Sequence, residues 1–132
     1  GHTVVGVDVD PGLIDAAEAD YPGPTWVVGD LAEMDLPAQG IEANFDVIVA
    51  AGNVMGFLAP STRVDVLRRF ARHLADDGRA IIGFGAGRGY DFRDFLADCA
   101  EAGLVLELPL STWDLRPFTE DSTFIVAICA KA

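Results

Sequence analysis

Buried strands that alternate with amphipathic helices are the feature that most constrains the fold of this chain. The β-branched run Thr3–Val7 predicts a buried strand. Asp10 followed by Pro11 is typical of a helix start, because aspartate caps the first turn and proline suits its first position. The alternation continues over 132 residues, so we expect one α/β domain, residues 1–132, with a mostly parallel, Rossmann-like sheet.

The predicted order of elements is β-α-β-β-α-β-α-β-β. The last two strands are expected to pair antiparallel, because only about a dozen residues without a helical pattern separate them. We expect Asp76-Asp77-Gly78 to form the turn that closes the second helix. The predicted strands are Thr3–Val7, Thr25–Val28, Phe45–Ala51, Ala80–Phe84, Leu104–Leu110 and Thr123–Ala130, and the predicted helices are Pro11–Asp20, Ser61–Leu74 and the stretch between the cap Asp91 and Gly103.

Charge and cysteine content limit the classes of partner. A net charge of −12 repels phosphate backbones and anionic lipid, so neither nucleic acid nor a membrane is an expected partner. No apolar run reaches the roughly 18 residues of a membrane span. Cys99 and Cys129 are far apart in apolar segments, which predicts two reduced core cysteines in a cytoplasmic protein and no zinc site.

Polar residues follow the predicted strands at the edge where doubly wound folds bind ligands. Asp8 ends the first strand and Asp30 follows the second. A carboxylate at the first position can accept from both hydroxyls of a ribose, and one at the second can accept from the amine of a purine. The alternatives are a helix-capping acid for Asp8 and an ordinary loop acid for Asp30.

Four segments in succession resemble the motifs of class I S-adenosylmethionine-dependent methyltransferases. They read "GHTVVGVDVDPGLIDAAEA", "WVVGDLAEMDL", "FDVIVAAGNVMGFL" and "LADDGRAIIGF". The resemblance implies S-adenosylmethionine as cofactor, a methyltransferase sheet with a C-terminal antiparallel strand pair, and a small-molecule acceptor. It implies that the cofactor is contacted by Asp8 and Val9 at the ribose, by Asp30 and Leu31 at the adenine, and by Ala51, Gly52 and Asn53 at the end of the third strand.

One part of the family pattern is not found in this sequence. In the family, a strand followed by a GxGxG loop comes before the strand that ends at Asp8, whereas this sequence starts with Gly1 inside a strand pattern. We therefore expect an N-terminally incomplete domain without the first strand and helix. The missing strand would leave a gap in the sheet, with unpaired edges through which copies could associate.

The run "GFGAGRG", Gly83–Gly89, imitates that glycine loop. A permuted chain would use it for the cofactor, but the preceding "LADDG" resembles the family's later strand. The alternative is a flexible hinge beside the active-site mouth that supplies Arg88 and Tyr90. The expected acceptor-binding residues are Met55, Phe57, Arg88, Tyr90, Trp113, Asp114 and Arg116.

Several of these acceptor residues have a plainer interpretation. The side chains of Met55, Phe57 and Trp113 could simply pack within the loops that contain them. Asp114 and Arg116 could form a surface ion pair. No catalytic base is expected, because methyl transfer from a sulfonium needs chiefly alignment in a dry pocket. His73 is predicted in the last turn of a helix near solvent, where a cation suits the helix dipole.

Two alternatives to a small-molecule methyltransferase stay open at this point. Asp8 would also suit an NAD(P)-dependent Rossmann oxidoreductase. A chain without the glycine loop could also be a non-catalytic fold fragment that self-associates through its open strand edges.

Overall fold

Strands and helices follow the predicted order, except that a short additional helix, Val54–Phe57, precedes the second predicted helix. A computed structural model describes all residues, Gly1–Ala132, and the chain divides into unit 1, residues 1–34, and unit 2, residues 35–132. The strands are β1 (Val5–Asp8), β2 (Thr25–Val28), β3 (Phe45–Ala50), β4 (Leu74–Gly85), β5 (Leu104–Leu110) and β6 (Phe124–Lys131). The helices are α1 (Pro11–Asp20), α2 (Val54–Phe57), α3 (Arg63–His73) and α4 (Phe92–Glu101).

Unit 1 is a β-α-β unit whose two strands pair in parallel. The register runs from Val5 opposite Thr25 to Asp8 opposite Val28. The indole of Trp26 lies directly over Gly6, where an added Cβ would overlap the ring. Gly6 therefore lets an aromatic side chain of β2 lie flat across β1.

Unit 2 contains a four-stranded sheet in the order β3-β4-β6-β5. β3 pairs with β4 in parallel, whereas β6 pairs antiparallel with both β4 and β5. This confirms the predicted antiparallel strand pair. The strands of the whole chain form two sheets, β1-β2 and β3-β4-β6-β5.

The start of β4 differs from the prediction. Leu74 is predicted to end the helix and Asp76-Asp77-Gly78 to form the turn after it, but these residues belong to the strand, which begins at Leu74 directly after α3. Phe45 pairs with Leu74 and Val47 pairs with Arg79, so the register shifts between these pairs. Gly78 lies at this irregularity, where an added Cβ would be 2.7 Å from the carbonyl oxygen of Phe45.

Aromatic rings form a large part of the core of unit 2. Phe84 and Phe95 are fully buried, and their ring centroids are 5.0 Å apart in an edge-to-face arrangement. Phe84 also stacks on Tyr90 at 5.4 Å and meets Phe92 edge-on at 5.2 Å. This cluster joins the end of β4 to α4.

Cys99 and Cys129 are free and buried, as predicted. A hydrogen bond with the Cys129 thiol, together with burial, raises the pKa of Cys99 well above its ordinary value. No group of three or more His, Cys, Asp or Glu side chains is arranged to hold a metal ion. None of the helices combines the length and apolar character that crossing a membrane requires.

His73 is buried, so the prediction that it lies near solvent was wrong. It does end α3, as predicted, but only 4% of its surface is exposed. Its Nε2 accepts a hydrogen bond from the Leu36 amide at 3.1 Å, and Nδ1 is 2.7 Å from the Arg69 carbonyl oxygen. Since Nε2 acts as an acceptor, the proton of the neutral ring is on Nδ1 and points to that carbonyl.

Replacing His73 with leucine is expected to lower the free energy of unfolding by about 1–3 kcal/mol, because the buried Leu36 amide loses its acceptor. Urea denaturation followed by circular dichroism measures this loss. The matched control is Arg72→Leu, an exposed change on the same turn of α3. Equal stability of the two variants would show that the hydrogen bond to Leu36 contributes nothing.

Candidate functional site

Two acidic side chains lie at the carboxyl ends of the parallel strands of unit 1. Asp8 is the last residue of β1, and Asp30 comes two residues after the end of β2. The Gly29 amide donates to the Asp8 carbonyl oxygen at 2.9 Å, so the pairing continues up to these acids. Both carboxylates therefore lie at one edge of the sheet, as the sequence predicted.

Asp8 has a carboxylate oxygen available for a ligand. Its Oδ1 accepts a hydrogen bond from the Asp10 amide at 2.8 Å, and no hydrogen bond engages Oδ2. Asp10 caps α1 by accepting from the amides of Gly12 at 2.8 Å and Leu13 at 3.4 Å. The alternative that Asp8 caps the helix is therefore wrong, because Asp10 is the residue that caps α1.

Asp30 combines a local role with an exposed position. Its Oδ1 accepts from the Ala32 amide at 2.9 Å and so begins the short 3-10 turn Leu31–Glu33. This is the local function expected of an ordinary loop acid, although Oδ2 stays available. Val9 is 69% exposed beside Asp8.

The end of β3 in unit 2 has an unusual backbone. Ala51 is followed by Gly52 and Asn53, whose φ angles of +71° and +64° lie in the left-handed region. Asn53 Oδ1 accepts a hydrogen bond from the Gly85 amide at 2.7 Å. The left-handed turn thus joins the ends of the parallel strands β3 and β4.

One glycine of the run Gly83–Gly89 makes room for aromatic side chains. A Cβ added at Gly83 would lie 2.5 Å from Cζ2 of Trp113 and 3.3 Å from Cε1 of Phe124. Trp113 and Phe124 are neighbours, with ring centroids 6.5 Å apart. Sequence reasoning missed Phe124, because nothing in its spacing marks it as a neighbour of Trp113.

Replacing Gly83 with alanine is expected to displace the Trp113 indole and to destabilise the protein by about 1–3 kcal/mol, as overpacking does. The change is measured in a Trp26→Phe background, where Trp113 is the only tryptophan. There, Gly83→Ala should shift the fluorescence emission of Trp113 towards that of free tryptophan. Gly29→Ala, where an added Cβ meets nothing within 4 Å, is the control. Unchanged emission in Gly83→Ala would contradict this packing.

The predicted acceptor residues divide by exposure. Phe57 is 70% exposed and Trp113 is 49% exposed. Arg88 is also exposed, with its guanidinium 5.2 Å from the Phe57 ring centroid. Met55 and Tyr90 are buried inside unit 2, so neither side chain faces the solvent from which an acceptor arrives.

Asp114 and Arg116 form a surface ion pair, the plainer alternative that the sequence allowed. Arg116 Nε is 3.5 Å from Asp114 Oδ2, and both side chains are largely exposed. The hydroxyl of Thr112 donates to Asp114 and, with Arg116, lowers the pKa of that carboxyl.

The Tyr90 hydroxyl and the His73 ring in unit 2 are occupied by structural hydrogen bonds. The Tyr90 hydroxyl donates to Asp98 Oδ2 at 2.5 Å, and burial raises the Tyr90 pKa well above its ordinary value. Both ring nitrogens of His73 face backbone groups. The arrangement can bind and orient a ligand, but it presents no free base of these types.

Comparisons with known proteins place this fold in one family. A family model described as "Methyltransferase domain" matches residues 1–78. The crystal structure of a TehB-like S-adenosylmethionine-dependent methyltransferase from Corynebacterium glutamicum is 51% identical, with a TM-score of 0.94, over 100% of this chain and 70% of that chain. No curated protein sequence matches.

More distant structures share the fold. An S-adenosylmethionine-dependent methyltransferase from Clostridium acetobutylicum is 10% identical, with a TM-score of 0.88, over 99% of this chain and 76% of that chain. The 1,6-didemethyltoxoflavin-N1-methyltransferase of Burkholderia thailandensis, solved with 1,6-didemethyltoxoflavin and S-adenosylhomocysteine, is 18% identical, with a TM-score of 0.70, over 100% of this chain and 62% of that chain.

These matches do not favour a nicotinamide-dependent oxidoreductase. The strand-end aspartate alone suits both classes, but the family match and the 51% identical structure are both methyltransferases. The chain belongs to the class I S-adenosylmethionine-dependent methyltransferases, and S-adenosylmethionine is its cofactor.

Proposed function

We propose that this protein transfers the methyl group of S-adenosylmethionine to a small-molecule acceptor, with the Asp8 carboxylate holding the ribose of the cofactor. The observation that carries the site assignment is the carboxylate of Asp8, which ends β1 with Oδ2 available. A carboxylate accepts hydrogen bonds from both hydroxyls of a ribose. When bound, the cofactor supplies an electrophilic methyl group on a sulfonium.

Asp30 is the second cofactor residue of the proposal. It lies at the same edge of the unit 1 sheet as Asp8, and its free oxygen can accept from the exocyclic amine of adenine. Val9 and Leu31, the neighbours of these acids, would supply apolar contact. Ala51, Gly52 and Asn53 of unit 2 are proposed to border the cofactor, as the resemblance to the family implies.

The acceptor side is proposed to use the exposed aromatic and cationic side chains of unit 2. Phe57, Arg88 and Trp113 are accessible to a ligand, and an arginine over an aromatic face suits a small acceptor that carries negative charge. Since His73 and Tyr90 are engaged in structural hydrogen bonds, neither can take a proton from the acceptor. The acceptor atom should therefore be nucleophilic without the help of a protein base. Met55 and Tyr90 would act through packing, and Asp114 and Arg116 through the shape of their loop.

Isothermal calorimetry with S-adenosylhomocysteine on the full-length protein tests the cofactor half of the proposal. The acceptor half is tested by mixing S-adenosylmethionine with small thiols, amines and carboxylates and measuring S-adenosylhomocysteine by mass spectrometry. We expect saturable binding and turnover of at least one anionic compound. Absence of binding would remove the cofactor site, and turnover of uncharged compounds alone would remove the role of Arg88.

Domain organisation, location and assembly belong to the proposal as well. The family match runs across the boundary between units 1 and 2, which supports one methyltransferase domain. The two buried free thiols suit the cytoplasm, and the charge of −12 disfavours nucleic acid. β3 ends its sheet with Val47 and Val49 exposed, so a homo-oligomer through this edge should be detectable by light scattering.

A further inference from the structure

Arg88 lies in an exposed glycine-rich segment between β4 and α4, here called the glycine segment and defined as Gly85–Gly89. Gly87 and Gly89 on either side of Arg88 have φ angles of +81° and +89°, a conformation that favours glycine. The Arg88 side chain lies close to Gly56 and Phe57 of α2. The glycine backbone on either side of it has more conformational freedom than that of other residues, so the two ends of the segment help to keep Arg88 there.

The N-terminal end of the glycine segment is fixed by backbone hydrogen bonds. The Gly85 amide donates to Asn53 Oδ1 at 2.7 Å. The next amide, that of Ala86, donates to the Thr123 carbonyl oxygen at 2.8 Å. This end is therefore attached both to the turn after β3 and to the residue before β6.

At the C-terminal end, the side chain of Arg63 at the start of α3 contacts both the last glycine of the segment and the residue that follows it. Arg63 Nη2 donates to the Gly89 carbonyl oxygen at 3.1 Å, and its guanidinium carbon is 3.8 Å from the centroid of the Tyr90 ring. Tyr90 is 3% exposed, and its hydroxyl donates to Asp98 on α4. Arg63 thus clamps both the last glycine of the segment and the buried ring that follows it.

The Arg63 side chain also has a polar atom, Nε, that makes no hydrogen bond where it lies. Its Nε is buried and has no hydrogen-bond partner, which is unfavourable for a charged group. The contacts that keep the guanidinium there are the ring of Tyr90 and the carbonyl of Gly89. The carbonyl belongs to the last residue of the glycine segment, and the ring belongs to the residue directly after it.

We infer that Arg63 is a positioning residue, which holds the C-terminal end of the glycine segment so that Arg88 stays over Phe57. The inference rests on the proposed role of Arg88 on the acceptor side. Arg63 itself is not proposed to contact the cofactor or the acceptor. A guanidinium suits the task, because its flat face stacks on an aromatic ring while its edge donates to a carbonyl.

Trypsin cleavage after Arg88 measures how often the glycine segment opens, because a protease cuts a folded chain only where it opens locally. The fragments 1–88 and 89–132 identify this cut by mass. The variants are Arg63→Leu and Arg63→Lys in the full-length protein. Arg68→Leu is the matched control, because Arg68 is on the same helix in surface ion pairs only.

Arg63→Leu should raise the cleavage rate about tenfold over Arg68→Leu, as local opening becomes more frequent. Arg63→Lys should recover part of the protection, since lysine can still donate to Gly89. Equal rates in the two leucine variants, both compared well below their melting temperatures, would overturn the inference. If Arg63→Leu does not fold, Arg63→Met, which keeps an unbranched apolar stem but has no donor, takes its place, and a rate equal to that of Arg68→Leu would overturn the inference. The turnover measurements with anionic and uncharged compounds report separately on the proposed role of Arg88, and failure of that role would leave this cleavage result unchanged.

Discussion

An Asp8→Ala variant is expected to bind S-adenosylhomocysteine about 100-fold more weakly than the unaltered protein. The proposed carboxylate accepts from two ribose hydroxyls, and a hydrogen bond to a charged group contributes about 1.5–3 kcal/mol. Loss of both bonds costs roughly 3 kcal/mol, which is about a factor of 100 in the dissociation constant. Isothermal calorimetry of both proteins measures this factor.

Asp8 also bonds within unit 1, so a second variant must separate binding from local structure. Its Oδ1 accepts from the Asp10 amide, and asparagine at position 8 keeps that oxygen while it removes the charge. Asp8→Asn should therefore melt like the unaltered protein and still bind at least tenfold more weakly, as expected when a charged acceptor becomes neutral.

The matched control for this experiment is Asp10→Ala. Asp10 caps α1 with bonds to Gly12 and Leu13, and removing a cap costs about 1 kcal/mol of stability. Its affinity for S-adenosylhomocysteine should stay within about twofold. If Asp10→Ala weakened binding as much as Asp8→Ala, the strand end as a whole would matter, and the ribose role of Asp8 would be wrong.

The order of strands and helices could be predicted from the sequence because local patterns determine it. The β-branched run before Asp8 and the Asp10-Pro11 start of α1 depend only on neighbouring residues. The same holds for the ends of the strands, and therefore for the placement of Asp8 and Asp30 at one edge of the unit 1 sheet.

The features that were missed depend on partners far along the chain. Leu74 begins a strand because Phe45, 29 positions earlier, pairs with it, although Asp76-Asp77-Gly78 has the local composition of a turn. His73 is buried because the Leu36 amide donates to it. A sequence pattern that spans only one helix turn includes neither Phe45 nor Leu36, so it could not predict these two contacts.

The glycine run illustrates the same limit for the candidate site. Its alternate glycines resemble a cofactor loop, but Gly83 accommodates Trp113, which is 30 positions later. Gly87 and Gly89 have a different reason, since both adopt positive φ angles around Arg88. One glycine-rich pattern thus combines a packing requirement and a backbone requirement, which the sequence alone does not separate.

Phe84→Ala is expected to lower the free energy of unfolding by about 3–5 kcal/mol, the range found when a buried phenylalanine is truncated. Phe84 is fully buried, and its ring meets those of Tyr90, Phe92 and Phe95. The truncation leaves a cavity and removes three aromatic contacts at once. This loss is a large part of the 5–15 kcal/mol that typically stabilises a domain. Urea denaturation followed by circular dichroism measures it.

Phe57→Ala is the matched control for stability, because Phe57 is also in unit 2 but is 70% exposed. Its truncation should change the free energy of unfolding by no more than about 0.5 kcal/mol, as is usual at the surface. Where Phe84→Ala does not fold, Phe84→Leu should still lose about 1–2 kcal/mol through a smaller change in volume. Equal losses in the position 84 and position 57 variants would mean that the aromatic cluster does not dominate the core of unit 2. Phe84 would then contribute little to holding the Tyr90 ring, which stacks on it and lies under the Arg63 guanidinium.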